Sequence, residues 1–412
     1  MAIEYITSKN LFSLICDTLK ILDKSLVKHG IRVSYIMSKM LECKGGYEKY
    51  EIADFMLLAV LHDIGAYKTD DVRKQLTFEA KNPLPHSIYG YLFLKYLSPF
   101  EEQSKMILYH HVDTSQMEHV DYTYKDEAEI LKVAEIMEIW MKAFGEKFDP
   151  HMIDRYRGTK YQTEACDLLF EAEEKYDIFT KLTDGSYEKE YEESLEYILL
   201  SDEEKERYLK MLMYCTGLRD ETMVSSTIAT IYVSREIGKK MRISELDKNE
   251  IYYAALLHDL GMLAMPKELI DAPRKLEEAE LNLIHTHVEL TNEALKGKLA
   301  QSIIDISAAH HERFDGTGYP FALKGEEIPF YARIIGVADS FDTMNSDRCY
   351  RDRLPKEKIL EELRKNSGTQ FDPEIVKYMI EMRDIAYGSM VKCYWFNRFP
   401  SSICYLPSIP RL

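Results

Sequence analysis

Six polar positions recur in this chain in one order, the second set about 200 residues after the first. LLAVLHDIG supplies His62 and Asp63, followed by His86, the doublet His110-His111 and Glu135. YAALLHDLG supplies His258 and Asp259, followed by His287, the doublet His310-His311 and Asp339. An ordered match of this kind means two copies of one unit, and 412 residues are long for one domain but comfortable for two. Each His-Asp pair ends an apolar stretch with helical spacing and runs into a glycine, the mark of a helix terminus. Three-and-four apolar spacing also fills Leu11 to Leu26 and Ile228 to Met241, and strand signals are weak throughout. The expected fold is all-α, with two tandem helical domains at 1–145 and 216–382. Between them, 146–215 is rich in Glu, Lys and Tyr and reads as a charged helical connector. The tail 383–412 is aromatic and Pro-rich, lacks helical periodicity and is assigned no role.

Neutral imidazoles and carboxylates are good ligands for first-row divalent metals. A His-Asp pair at a helix end can reach one ion while the second carboxylate oxygen bridges to a neighbour. The remaining histidines exceed what one ion needs, so the count points to two ions per site or more. Two adjacent ions hold a phosphate and lower the pKa of a bridging water, an arrangement suited to phosphate-ester hydrolysis. Each histidine taken alone is better read as a satisfied core or surface residue; the duplicated set is not. His119 and His151 have no repeat partner, and His285 lies two residues before His287, where helix geometry turns it away.

Composition narrows the partners. The chain has 53 Lys+Arg against 70 Asp+Glu, a net charge of −17, which argues against a general grip on a nucleic-acid polymer but not against a nucleotide. Seven scattered cysteines without a C-x-x-C exclude a disulfide framework or thiolate zinc site and fit a reducing cytosol. MAIEYITSKN lacks the pattern of a signal peptide, and apolar runs such as Phe55 to Leu61 are too short to span a bilayer. A cytoplasmic protein without membrane contact is expected, and a homodimer is compatible with the sequence.

The second half resembles the HD-GYP subclass of the HD phosphohydrolase superfamily over roughly Leu218 to Met382. The resemblance rests on HDLG at His258 to Gly261, HTHVEL around His287, HHERFDGTGYP from His310 to Pro320, RIIGVADSFDTMNSDRCYR from Arg333 and GTQFDPEIV from Gly368. The first half resembles the wider HD family, with YHHVDTSQMEHV where the GYP segment would stand. The resemblance implies two or three divalent ions per active site, commonly iron or manganese. It also implies hydrolysis of cyclic dinucleotides, chiefly cyclic di-GMP or 3′,3′-cyclic GMP-AMP, to linear products. It makes His258, Asp259, His287, His310, His311 and Asp339 metal ligands, with Asp259 bridging and the His258-Asp259 pair at the catalytic centre. In the first half the matching set is His29, His62, Asp63, His86, His110, His111 and Glu135.

Two departures stand out. The family histidine before the HD pair is His29 in the first half but Ser225 or Ser226 in the second, with Glu221 near the place of a further carboxylate ligand. The phosphate-contacting lysine after HD-x-G is Ala66 in one half and Met262 in the other. Arg313, Asp315, Gly316, Gly318, Tyr319, Arg348 and Arg351 are candidates to face substrate. Two glycines would let backbone approach a phosphate, and guanidinium matches its oxygens. The second half is the expected cyclic-dinucleotide phosphodiesterase. A non-catalytic cyclic-dinucleotide receptor and a phosphohydrolase of another nucleotide are the alternatives.

Overall fold

The computed structural model describes residues 5–69, 84–117, 120–347 and 351–382. Helices dominate, and no β-strand longer than an isolated bridge occurs among the described residues. The chain divides into two compact units, one running from Ser8 to Tyr208 and the other from Leu209, with residues 5–7 joining the second. There the backbone N–H of Ala300 donates to the carbonyl of Tyr5 at 3.1 Å. No helix among the described residues is long and apolar enough to cross a membrane.

Unit 1 contains α1 (Ser8–Leu22), α2 (Lys24–Lys44), α3 (Lys49–Val60), α4 (Leu84–Leu97), α5 (Lys105–Tyr109), α6 (Lys125–Phe144), α7 (Thr163–Tyr176), α8 (Ile178–Asp184) and α9 (Tyr187–Ser194). Then α10 (Asp202–Thr216) leads into unit 2, which contains α11 (Glu221–Met241), α12 (Glu245–Leu257), α13 (Glu278–Leu295), α14 (Gln301–Ala308), α15 (Phe330–Asn345), α16 (Lys356–Lys365) and α17 (Pro373–Glu381). The repeat is visible in three dimensions: α2 packs on α3, α6 and α7 as α11 packs on α12, α15 and α17. Matching starts anchor the helices. Asp23 caps α2 by accepting from the N–H groups of Ser25 and Leu26, and Asp220 caps α11 by accepting from Thr222. Asp23 also explains why the periodicity from Leu11 to Leu26 is two helices, since its extended backbone interrupts them.

Of the stretch expected as a connector, 146–215, the part through Tyr208 groups with unit 1 and the rest with unit 2. Ile178, Leu182, Tyr187 and Tyr191 are buried, the Arg32 guanidinium donates to the carbonyl of Leu182 at 2.7 Å, and the Tyr35 hydroxyl donates to Glu190 at 2.9 Å. Unit 1 also repeats a turn that the histidines do not announce. Gly158 and Gly368, at φ of 72° and 81°, each donate to the carbonyl three residues on, and each turn closes a parallel bridge, Arg157 to Tyr161 and Ser367 to Phe371. In unit 1 the turn's carbonyls accept from the N–H groups of Thr114 and Ser115; in unit 2 they accept from Phe314 and Asp315. RGTKYQ and SGTQFD thus do one job, holding the loop that follows each histidine doublet.

Asp54 of α3 offers a test of the packing around α10. Burial, with Glu204 and Glu51 beside it, pushes its carboxyl up to about 6. A raised carboxyl favours the protonated fold, so its contribution is lost as pH rises from about 4 through 6. Asp54→Asn is expected to raise stability at pH 8 by about 1 kcal/mol after discount for solvent screening, with no gain at pH 4. Calorimetry at the two pH values checks the sign.

Candidate metal centres

Each histidine pair reaches its centre because α3 and α12 end at Val60 and Leu257, so His62 and His258 sit just past a helix terminus. The Nδ1 atoms of His62, His110, His258, His287 and His310 lie 2.6–2.7 Å from backbone carbonyls three residues earlier. That contact fixes Nδ1 as the protonated nitrogen and aims a bare Nε2 inward. All five Nε2 atoms are buried without a hydrogen-bond partner, as is Asp63 Oδ1. Orphaned acceptors in this number are costly in a dry core and suit a bound cation.

Unit 1 gathers its ligands into two groups that share Asp63: His29, His62 and Glu135 on one side, His86, His110 and His111 on the other. Within each group and with Asp63, one ligand atom per residue lies within 4.8 Å of all the others. His86 Nε2 is 3.5 Å from Asp63 Oδ1, while His62 and His29 Nε2 are 3.4 and 4.0 Å from Oδ2. His29 is held by Glu138, at 2.6 Å from its Nδ1, and Glu138 in turn accepts from Arg32. Burial depresses His62 and drives His110 and His111 well below the usual imidazole range. Burial, with Asp63 and Glu138 nearby, drives Glu135 well above the carboxylate range. Neutral imidazoles beside crowded carboxylates are a donor set that a divalent cation satisfies. A pocket of roughly 880 Å³ opens against His29 and Glu138, walled by Lys28, Arg32, Lys142, Phe148 and Phe179.

Unit 2 assembles one such group, Asp259, His287, His310 and His311. His258 and His287 Nε2 each lie 3.3 Å from Asp259, on opposite oxygens, and His310 Nε2 lies 3.8 Å from it. Burial opposes charge on His258, but the nearby carboxylates of Asp259 and Asp339 raise the imidazole to about 9. Burial, with His258 nearby, takes His310 down to about 3. Ser226, not Ser225, occupies the place of His29: its Oγ donates to Asp342 at 2.5 Å, as His29 pairs with Glu138. Ser225 donates to the carbonyl of Thr222. Asp339 lies among the groups that raise His258 but outside the four-residue cluster, and the side chain of Glu221 is not described.

Glycine in the two HD-x-G motifs has a packing cause. A Cβ on Gly65 or Gly261 would sit 2.0 Å from the carbonyl oxygen of His86 or His287, so only glycine lets the next ligand helix approach. Gly318, expected to admit a phosphate, is taken up by its own loop, since a Cβ there would lie 2.3 Å from the Arg313 nitrogen. Tyr319 stacks between two histidines, with ring centroids 3.9 Å from His285 and 4.9 Å from His311. His285 is therefore no ligand but a support for Tyr319, a role that spacing alone does not reveal. Asp315 accepts from Thr317 and pairs with Arg313 at 3.4 Å, and Arg351 donates to the carbonyl of Asp352. Arg348 lies outside the described residues, as do His119 and the tail 383–412. A smaller pocket, roughly 170 Å³, opens beside the cluster and adds Arg333 and Gln370 to His310, His311, Arg313 and Tyr319. Arg333 pairs with Asp372 at 2.6 Å; both lie in the motifs that begin at Arg333 and Gly368, where spacing alone assigns neither a role.

Tyr319→Leu is expected to weaken metal retention at the second centre about tenfold, because stacked neighbours orient a ligand, while Tyr319→Phe keeps it. Metal titration of both variants decides.

HD domain profiles match residues 26–140 and 210–375. The chain is 38% identical over 145 residues to 3'3'-cGAMP-specific phosphodiesterase 2 of Vibrio cholerae, covering 34% of this chain and 28% of that protein. A cyclic di-GMP phosphodiesterase of Thermotoga maritima is 33% identical over 177 residues, covering 42% of this chain and 48% of the relative. The chain thus spans less than half the length of these two relatives. 3'3'-cGAMP-specific phosphodiesterase 1 of Vibrio cholerae aligns along most of both chains, 82% of this one and 83% of its own, at 24% identity. The crystal structure of a cyclic GMP-AMP specific phosphodiesterase of Vibrio cholerae shares the fold, with a TM-score of 0.56 at 17% identity over 93% of this chain and 98% of that one.

Proposed function

The chain belongs to the HD-domain family, with an HD domain in each unit and the HD-GYP signature in the second, and we propose that it is a metal-dependent phosphodiesterase of cyclic dinucleotides. The observation that carries the reading is the half-buried cluster Asp259, His287, His310 and His311 lying against an intact GYP loop. Iron or manganese suits this donor set of imidazoles and carboxylates. His258, Asp259, His287, His310, His311 and Asp339 would hold the metal in unit 2. His29, His62, Asp63, His86, His110, His111 and Glu135 would hold it in unit 1. When bound, such ions supply a hydroxide nucleophile near neutral pH and offset charge on the phosphate.

The protein's own groups do the rest. Asp259 fixes the centre between His258 and His287, and backbone carbonyls keep the imidazole Nε2 atoms free to coordinate. Tyr319, supported by His285, covers His311 and offers a ring edge where a base would lie. Arg313 and Arg351 stand as phosphate-facing candidates, each now tied to a neighbour that substrate would have to displace. The reaction opens one 3′-ester, leaving a linear dinucleotide with a 5′-phosphate. We place the protein in the cytoplasm, acting on a small diffusible ligand and with a second copy of itself as an allowed partner.

A receptor that binds without cutting is the second reading, favoured by Ser226 and Met262 where the family has a ligand and a phosphate-contacting lysine. Anaerobically prepared protein, loaded with iron or manganese and given a panel of cyclic dinucleotides, separates the two. Linear product supports the enzyme; binding without product supports the receptor.

A further inference from the structure

We infer that the chain loads its metal unequally, two ions in unit 1 bridged by Asp63 and one in unit 2. The inference rests on the reading of both clusters as metal centres and adds the division between them. Unit 1 presents two complete groups sharing one carboxylate, whereas unit 2 presents the counterpart of only one among the described residues. The missing group is the one built in unit 1 from His29, His62, Asp63 and Glu135.

Two substitutions account for the loss. Ser226 replaces the imidazole of His29 with a hydroxyl that reaches no further than Asp342, and Asp339 is one methylene shorter than Glu135. The surroundings have adapted to this. Glu138 in unit 1 is balanced by His29 and Arg32, while Asp342 in unit 2, only 3% exposed, is satisfied by the hydroxyls of Ser226 and Ser346 at 2.5 and 3.1 Å. Asp342 thus has its hydrogen bonds without an ion. The remaining cluster is also more open, since the Asp259 side chain is 24% exposed against 6% for Asp63. Unit 2 therefore keeps one ion beside a partly exposed carboxylate, and unit 1 keeps two that share a more deeply buried one.

The test counts metal on the full-length protein after loading with manganese and desalting. Wild type is expected to hold about three ions per chain, Asp63→Ala about one and Asp259→Ala about two. A chelator should remove one ion quickly and two slowly. Ser226→His, which restores the lost imidazole without removing any ligand, should gain about one ion and keeps the test informative if an Asp variant fails to fold. Four ions in wild type, or equal losses in the two Asp variants, overturn the inference; a Ser226→His protein that stays at three overturns the role given to Ser226. Cleavage of cyclic dinucleotides measured in parallel keeps the two readings apart. Unequal loading without cleavage leaves the inference standing and removes the phosphodiesterase, and cleavage with equal loading does the reverse.

Discussion

Replacing Asp259 with alanine is expected to lower cyclic-dinucleotide cleavage by at least about a thousandfold, equivalent to about 4 kcal/mol of transition-state stabilisation. Asp259 contacts three imidazoles, those of His258, His287 and His310, so its loss both removes a ligand and releases the charge that sets His258. Among the described residues, the four-residue cluster holds no carboxylate other than Asp259. Asp63→Ala, which disables the other centre, is expected to leave cleavage within about threefold of wild type, since the GYP loop belongs to unit 2. Initial rates with saturating manganese compare the two. If Asp63→Ala alone abolishes cleavage, the active centre has been assigned to the wrong unit.

Adding one carbon at Gly261 should be nearly as damaging, by a different route. The Cβ of an alanine there would overlap the carbonyl oxygen of His287 at 2.0 Å, and neither partner is a flexible side-chain end that could swing away. Relief requires α13 to move, carrying His287 out of the cluster and straining the core that α12 and α14 share with it. Overpacking of backbone on backbone lies at the upper end of such costs, about 3 kcal/mol or more. Gly261→Ala is therefore expected to lower the melting temperature of unit 2 and strip its metal, while Gly65→Ala does the same to unit 1. Gly336→Ala, where the nearest contact is 2.8 Å from the carbonyl oxygen of His310, should cost distinctly less. Calorimetry with metal counting follows all three.

The candidate ligand set was legible in the sequence because divalent-metal coordination draws on few residue types, and those types recur in one order in both halves. The all-α fold followed from apolar spacing, and the ends of α3 and α12 followed from the glycines of HD-x-G. The expected connector, 146–215, divides at Tyr208, and its grouping with unit 1 up to that point has a physical reason. A helix with charged outer positions and a few buried tyrosines carries the same charge pattern as a solvated connector, and only the burial of Leu182, Tyr187 and Tyr191 tells them apart. The matching RGTKYQ and SGTQFD turns were within reach, since both pair Gly-Thr with an aromatic residue two positions later, but identity around them is too low to draw attention. Whether Ser225 or Ser226 stands for His29 could not follow from spacing, because a one-residue shift along a helix turns a side chain by about 100°. The hydrogen bond to Asp342 settles it for Ser226. The stack of His285 on Tyr319 joins segments far apart in the chain and leaves no periodic trace.

The most direct test of hydrolysis by a metal-held hydroxide is a single reaction in water enriched in oxygen-18. Anaerobically loaded full-length protein is mixed with cyclic di-GMP or 3′,3′-cyclic GMP-AMP, and the product is weighed by mass spectrometry. A linear dinucleotide carrying one heavy oxygen on its new 5′-phosphate is the predicted result. Intact cyclic ligand recovered from a metal-replete protein would contradict the account.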